Sequence, residues 1–361
     1  QVQAHPLIRV HTETDLLEVG GYVGRFQSRL HHRAEGRVEE VAHGAVVVAT
    51  GAEAYVPQPG EYLYGQHPGV LTQRELEERL AGDPQGLLKP SATAPSFVMI
   101  QCVGSRDEER PYCSRICCSI AVKNALRLKE LHPAAHVTVL FRDVRTYGFQ
   151  EEYYEEARRK GVVFLEYRPE KKPHVTERDG RLHVEVESPG LGLVSMPADY
   201  VVLSTGIVPR SDNEVLGQML KVPLNQERFF LEAHVKLRPV DFAGDGIFLC
   251  GLAHSPKSIE ETIAQAEGAA VRAATLLSKD RLEGQAIVAR VNERLCKGCG
   301  LCVSICPYDA RVLNEETHVA EVIEVLCQGC GACAVACPSG ATQHLGFEKV
   351  QIYAMIDEAL D

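Results

Sequence analysis

No run of apolar residues in this chain approaches the roughly 18 needed to cross a bilayer, so no membrane span is expected. No block of lysine or arginine stands out and the formal net charge is −11, which argues against nucleic acid or an anionic membrane surface as partner. The opening QVQAHPLIRVHTETD has neither the basic start nor the apolar core of a signal peptide. Also missing is any G-x-G-x-x-G turn, the usual anchor for a dinucleotide pyrophosphate. The pairs Gly190/Gly192 and Gly244/Gly246 lack a third glycine and a strand-to-helix setting. The remaining composition, 361 residues with 45% hydrophobic and 24% charged, is that of an ordinary globular protein with more than one domain.

Cysteine is what the chain has in plenty, with thirteen. Eight form a doubled run, C-x2-C-x2-C-x3-C-P: Cys296, Cys299, Cys302 and Cys306 before Pro307, then Cys327, Cys330, Cys333 and Cys337 before Pro338. Three thiolates at this spacing can wrap one face of an iron–sulfur cube. The glycines between them (Gly298, Gly300, Gly329, Gly331) let the backbone turn with positive φ and bring amide N–H groups toward sulfur. In two-cluster ferredoxins the cysteine before proline ligates the other cluster. That rule assigns Cys296, Cys299, Cys302 and Cys337 to one [4Fe–4S] centre, and Cys327, Cys330, Cys333 and Cys306 to the second. Structural zinc sites use C-x2-C pairs with longer spacers, so zinc is the weaker reading. Single-electron transfer in a reducing cytoplasm is expected, not a disulfide-stapled secreted fold.

Along the chain, LIRVHT (7–12) and VGRFQSRL (23–30) look like strands, followed by the polar hairpin HHRAEGRVEEV. AVVVATG ends on Thr50-Gly51, and a second hydrophobic strand, YVVLSTG, ends on Thr205-Gly206. As a pair, such strand-Thr-Gly turns suit close approach of an adenine nucleotide to backbone; singly, they are also ordinary glycine turns. Between them, strands at 96–104, 136–143 and 162–167 alternate with helices at 114–131 and 149–161, which predicts a doubly wound parallel sheet. A strand, a turn at Gly251 and a helix with Ser258 and Glu261 as capping box follow. Residues 278–291 lead into the ferredoxin module, and GFEKVQIYAMIDEALD closes the chain as an amphipathic helix.

Where a nucleotide fingerprint would stand, the sequence reads CVGSRDEERPYCSRICC. Cys102, Cys113, Cys117 and Cys118 sit at a strand end and a helix start, where the helix terminus favours negative charge. Their spacing, C-x10-C-x3-C-C, matches no standard ferredoxin run, and a third cluster and buried structural thiols fit it equally. Cys250 is left over, as a small buried hydrophobe.

These stretches, with FRDVRTYGFQEEYYEEARRKGVVF, DGIFLCGLAHSPKSIEETIAQAEGAA and the tandem ferredoxin, resemble the A subunit of heterodisulfide reductase over nearly the whole chain. The resemblance implies a thioredoxin-reductase-like α/β flavoprotein fold with doubly wound nucleotide-binding-type domains and a C-terminal two-cluster ferredoxin domain of α+β type. It divides the chain into a partial FAD-binding segment (1–95), a degenerate NAD(P)H-type domain bearing the cysteine motif (96–198), a return to the FAD domain (199–284) and the ferredoxin domain with its C-terminal helix (285–361). It further implies a third [4Fe–4S] cluster on Cys102, Cys113, Cys117 and Cys118, and Lys123 as a catalytic cation near flavin N5. From the residues alone, Lys123 lies on a polar helix stripe with Ser119, Arg127 and Glu130 and reads as solvated. FAD contacts are expected from Thr50, Gly51, Thr205, Gly206, Gly251, Leu252 and Gln265, with Gly251-Leu252 where related reductases have Gly-Asp.

Two departures qualify the likeness. The chain has only a short hairpin where some members insert another ferredoxin, and the family's FAD fingerprint lies upstream of Gln1, so tight FAD binding is expected to need an upstream segment. The implied activity is flavin-based electron bifurcation between a disulfide-reducing branch and a ferredoxin- or hydrogenase/dehydrogenase-linked branch, with the other subunits of such a complex as partners. A quinone-linked flavoprotein of sulfate respiration and a flavin-free electron wire are the alternatives; co-purifying subunits and flavin content separate them.

Overall fold

Ser96–Val103 is the middle strand of a five-stranded parallel sheet, and its apolar run is buried from Phe97 onward, as expected for a strand covered on both faces. The order across the sheet is Val70–Thr72, Tyr200–Thr205, Ser96–Val103, His136–Phe141, Val163–Glu166. Alternation sorts the side chains. Phe97 and Met99 pack with Ala121, Ala125 and Leu128 of the helix Cys117–Leu131. Val98 and Ile100 pack with Val175, Leu182, Val184 and Val186. Those last residues belong to a three-stranded antiparallel sheet (His174–Arg178, Arg181–Ser188, Gly192–Ala198). The second layer is therefore strands rather than helices, because residues 174–198 alternate apolar and polar with period two. Each large apolar side chain buried here stabilises by about 1.5–3 kcal/mol.

The computed structural model describes residues 2–87, 94–282 and 287–360. Residues 283–286, within the segment 278–291 expected to lead into the ferredoxin module, lie outside the described residues. The chain divides into two compact units, Thr50–Arg210 with Gly251–Thr262, and Gln1–Ala49 with Ser211–Cys250 and Ile263–Asp361. The boundaries expected at 95/96 and 198/199 do not coincide with these units. Tyr200–Thr205 pairs in parallel with both Val70–Thr72 and Ser96–Val103. Crossover pairing draws strands distant in sequence into one sheet, which local pattern does not reveal.

In the other unit the first strand runs Thr14–Tyr22, not 7–12, and pairs with Arg25–His32 and Arg37–His43. The cause is the glycines: Tyr22 opposes Arg25 across a two-residue turn, and Gly24 adopts φ +81°. Leu7 is left exposed. Val46–Val48 pairs in parallel with Ile247–Leu249, and Cys250 lies buried in an apolar cluster with Val240, Phe248, Ala269 and Ala273. The ferredoxin portion has two antiparallel pairs, Ala289–Val291 with Thr342–His344 and Arg311–Leu313 with Ala320–Val322. The closing helix is Lys349–Leu360, and all its described residues are exposed.

Candidate functional site: two cysteine centres

The two halves of the ferredoxin portion repeat at an offset of 31 residues, and the structure keeps the repeat. Ala289 N–H donates to Cys327 Sγ at 3.4 Å, and Ala320 N–H to Cys296 Sγ at 3.5 Å. Gly298 (φ +64°) and Gly329 (φ +62°) are equivalent: a Cβ would stand 2.5 Å from His318 O in one and 2.7 Å from Ile287 O in the other. Only glycine lets these loops lie against the residues leading into the strands Ala320–Val322 and Ala289–Val291. Cys306, from the first run, lines one cavity with Cys327, Cys330 and Cys333 of the second. Burial pushes the Cys333 thiol up. Burial acts the same way on Cys337, but the Ser339 hydroxyl and the N–H groups of Thr342, Ala341 and Ser339 outweigh it and hold this thiol at about 7. Among the described residues no three cysteine sulfurs lie within 4.8 Å of one another. A tetrahedral zinc site with Zn–S bonds of about 2.3 Å would bring its sulfurs to about 3.8 Å. The donor set, all sulfur with N–H groups aimed at it, fits a cubane cluster.

The second centre is the turn after Ser96–Val103. Cys102 is buried with φ +61°, and Gly104 (+67°), Arg106 (+59°) and Arg115 (+63°) are also left-handed. Such a backbone costs about 1–2 kcal/mol per non-glycine residue and persists only where its surroundings dictate it. Cys117 and Cys118 open the helix Cys117–Leu131, both buried. Cys102 at the strand end and Cys113, Cys117 and Cys118 about the helix start thus share one turn, and Cys102, Cys113 and Cys118 all act electrostatically on Cys117. The hydrogen bond from Cys117 holds Cys118 down to about 7, and burial raises Cys102. Arginines surround the turn. Arg106 and Arg145 both pair with Asp143, and Arg142 donates to Arg106 O at 2.6 Å. Arg115 reaches Glu261 at 2.6 Å, Tyr147 at 2.7 Å and Pro256 O at 3.3 Å.

The remaining expected site residues divide. Gly51 has φ +75° and open space where a Cβ would be, which fits close approach of a cofactor. At Gly206 a Cβ would meet Gly104 O at 2.8 Å, Ser105 Cβ at 2.9 Å and Ser114 Oγ at 3.1 Å, so the cysteine turn fills that space. Thr205 ends the strand beneath it, and Ile207 N–H donates to Ser114 Oγ at 2.7 Å. Gly251 is buried with φ +72°, and Leu252 follows in the same short helical turn. Ser258 and Glu261 form the expected reciprocal cap of Ile259–Leu277. Gln265, in that helix, donates to Pro239 O at 3.5 Å. Lys123 is exposed and pairs with Glu77 at 2.6 Å, beside a cavity of about 380 Å³ between the helices Cys117–Leu131 and Glu151–Arg159.

Lys257 escapes a reading of the sequence. It is buried, and its Nζ donates to Gly251 O at 2.7 Å and Ser255 O at 2.9 Å. A lysine in SPKS carries no signal that it will point inward. His11, His32 and Glu39 also bring ligand atoms within 4.8 Å, yet Glu39 already accepts from Arg9 at 3.3 Å and Arg37 at 3.0 Å, so its charge is met.

Residues 295–341 match the family model of the 4Fe-4S dicluster domain, so the chain contains a two-cluster ferredoxin domain. Solved structures are loosely similar. They include FAD-bound DfoA, a cadaverine monooxygenase from Erwinia amylovora (TM-score 0.48, 10% identity, 78% of this chain and 73% of that one). Curated sequences are much closer. The A subunit of the H(2):CoB-CoM heterodisulfide,ferredoxin reductase of Methanothermobacter marburgensis is 41% identical over 295 residues, 79% of this chain and 44% of that protein. The A subunit of the Ferredoxin:CoB-CoM heterodisulfide reductase of Methanosarcina acetivorans is 40% identical over 360 residues, 90% of this chain and 44% of that protein. No helix among the described residues is long and apolar enough to cross a membrane. The chain spans about half the length of the curated relatives it matches, and over most of its own length it is homologous to the A subunit of heterodisulfide reductase.

Proposed function

We propose that this chain is an electron-carrying oxidoreductase subunit of a heterodisulfide-reductase-like complex, working with FAD and three [4Fe–4S] clusters. The observation that carries the reading is the gathering of four thiols at Cys102, Cys113, Cys117 and Cys118, where a nucleotide-binding sheet would place a pyrophosphate loop. When bound, a cluster accepts and releases one electron at a time, and a flavin exchanges electrons singly or in pairs. The protein's part is to hold and tune them. In the ferredoxin domain Cys306 joins Cys327, Cys330 and Cys333 for one cluster, leaving Cys296, Cys299, Cys302 and Cys337 for the other. Backbone N–H groups of Ala289, Ala310 and Ala320 donate to ligand sulfurs and stabilise the thiolates.

Gly51, open above its backbone, and the capped helix after Gly251 are the parts fitted to FAD, with Thr50, Leu252 and Gln265 beside them in sequence or on that helix. Gly206 acts instead by seating the cysteine turn, with Thr205 below it. Segments 1–95 and 199–284 are assigned to flavin binding, 96–198 to a degenerate nucleotide domain and 285–361 to the ferredoxin. The finer reading divides an electron pair between a disulfide-reducing branch and a ferredoxin- or hydrogenase-linked branch. A relative whose name joins a heterodisulfide and ferredoxin supports it.

Iron and acid-labile sulfide in anaerobically purified chain test the cluster count. About twelve of each per chain is expected from three clusters, and about eight would remove the third. Acid-released flavin, measured for the chain alone and with an upstream segment supplied, tests the flavin site. Stoichiometric FAD on the chain alone would mean that the anchor has been misplaced.

A further inference from the structure

Arg311 is 3% exposed, on the strand Arg311–Leu313. Its Nη2 donates to Thr342 Oγ1 at 3.2 Å, but Nε and Nη1 have no hydrogen-bond partner among the described residues. It lines the cavity that holds Cys306, Cys327, Cys330 and Cys333, and its charge acts on Cys333. His344 lines the same cavity, and its Nε2 is likewise buried without a partner. A buried guanidinium with two unmatched donors is costly unless an acceptor, best an anion, stands opposite. The cavity offers sulfur.

The repeat makes the placement one-sided. At the offset of 31 residues, Arg311 corresponds to Thr342, and His344 to Leu313. One half of the domain therefore has a fixed cation and an imidazole beside its cluster cavity, and the other has a hydroxyl and an alkyl side chain. Charge and hydrogen bonds to sulfur set the potential of a cluster. Reduction adds negative charge, which a neighbouring cation stabilises.

We infer that Arg311 holds the cluster on Cys306, Cys327, Cys330 and Cys333 at a higher reduction potential than its twin on Cys296, Cys299, Cys302 and Cys337. An electron entering the domain comes to rest on the Arg311 side. Arg311 is thus a tuning residue that gives the pair a direction. The inference rests on the ligand sets proposed above, and the two can fail separately. Loss of one cluster from Cys306→Ala, read by iron content, tests the ligands alone.

The arginine is tested by redox titration of the full chain, followed by electron paramagnetic resonance. In Arg311→Met with both clusters present, one ferredoxin potential should fall by at least a tenfold change in its reduction equilibrium, about 59 mV for one electron. The other potential should stay, and Arg311→Lys should fall between. Unchanged potentials, or equal shifts in both clusters, would overturn the proposal. If Arg311→Met loses iron, the wild-type chain decides. With 15N-labelled arginine, hyperfine coupling from the reduced higher-potential cluster to arginine nitrogen is expected, and its absence overturns the proposal.

Discussion

Replacing Gly104 by alanine attacks the cysteine turn at its tightest point. The residue has φ +67°, and an added Cβ would lie 2.1–2.5 Å from ring carbons of Tyr55. The left-handed backbone alone costs alanine about 1–2 kcal/mol. Displacing a packed ring adds about 1–3 kcal/mol. Arg110 makes the ring hard to move: its guanidinium sits 4.7 Å from the Tyr55 centroid while its Nε donates to Gly104 O at 2.9 Å. Losing that stacking adds about 0.5–1 kcal/mol. The total, about 2.5–6 kcal/mol, is a large part of the roughly 5–15 kcal/mol that holds a domain folded. Urea titration of the anaerobic full chain should show a lower midpoint for the transition that includes the parallel sheet. Iron should fall from about twelve toward about eight per chain as the turn opens. In a Tyr55→Ala background the ring's share should vanish, which a double-mutant cycle reads as coupling of about 1–3 kcal/mol. An alanine variant with unchanged midpoint and iron would show that this glycine does not pin the turn.

Lys123→Ala should leave iron content unchanged and stability within about 1 kcal/mol, since the pair with Glu77 is exposed; a shift of the flavin potential in an assembled, FAD-loaded complex would give it the catalytic role that the resemblance implies. Cys250→Ala should retain every cluster, because Cys250 packs in an apolar cluster with Val240 and Phe248; loss of about four irons would make it a ligand. Burial raises the Asp199 carboxyl, but the N–H and Oγ of Ser96, both at 2.8 Å, and Arg181 outweigh it, so its folded pKa is depressed. Its contribution is therefore present above the unfolded value of about 3.9 and is lost as pH falls through the folded one. Asp199→Asn should flatten that part of the acid limb of a stability–pH curve, and an unaltered limb would refute the assignment.

The ferredoxin motif was legible because each of its loops supplies three closely spaced cysteines before a fourth and a proline, which writes a local spacing into the chain. The parallel sheet was legible for a similar reason: a strand buried on both faces reads as an unbroken apolar run, as in Ser96–Val103. What escaped depends on partners far away in sequence. Nothing around Gly206 says that Gly104 and Ser114 will close over it. Nothing around Arg311 says that its guanidinium will face thiols from another loop. Lys257 looks like a surface residue until the Gly251 carbonyl caps it. Lys123 shows the reverse: the polar stripe read from its helix is what the structure displays, with Glu77 supplied from the helix Gln73–Gly82.

The two cysteine centres differ in sequence but share a physical design. At each, residues with left-handed backbone bend the chain around sulfur: Gly298 and Gly329 in the ferredoxin loops, Cys102, Gly104, Arg106 and Arg115 at the turn. At each, donors are fixed before any ligand arrives, as N–H groups of Ala289, Ala310 and Ala320 in one and as N–H of Arg115 to Cys113 Sγ, at 3.3 Å, in the other. Both also place guanidinium groups nearby, Arg311 in one and Arg106, Arg142 and Arg145 around the other. At the turn, Asp143 and Glu261 answer part of that charge, holding the arginines in place. Rigid donors and fixed cations cost little reorganisation when an electron arrives, because nothing has to turn toward the new charge. In a chain of net charge −11, Arg106, Arg142, Arg145 and Arg311 beside cysteines favour added negative charge at those places.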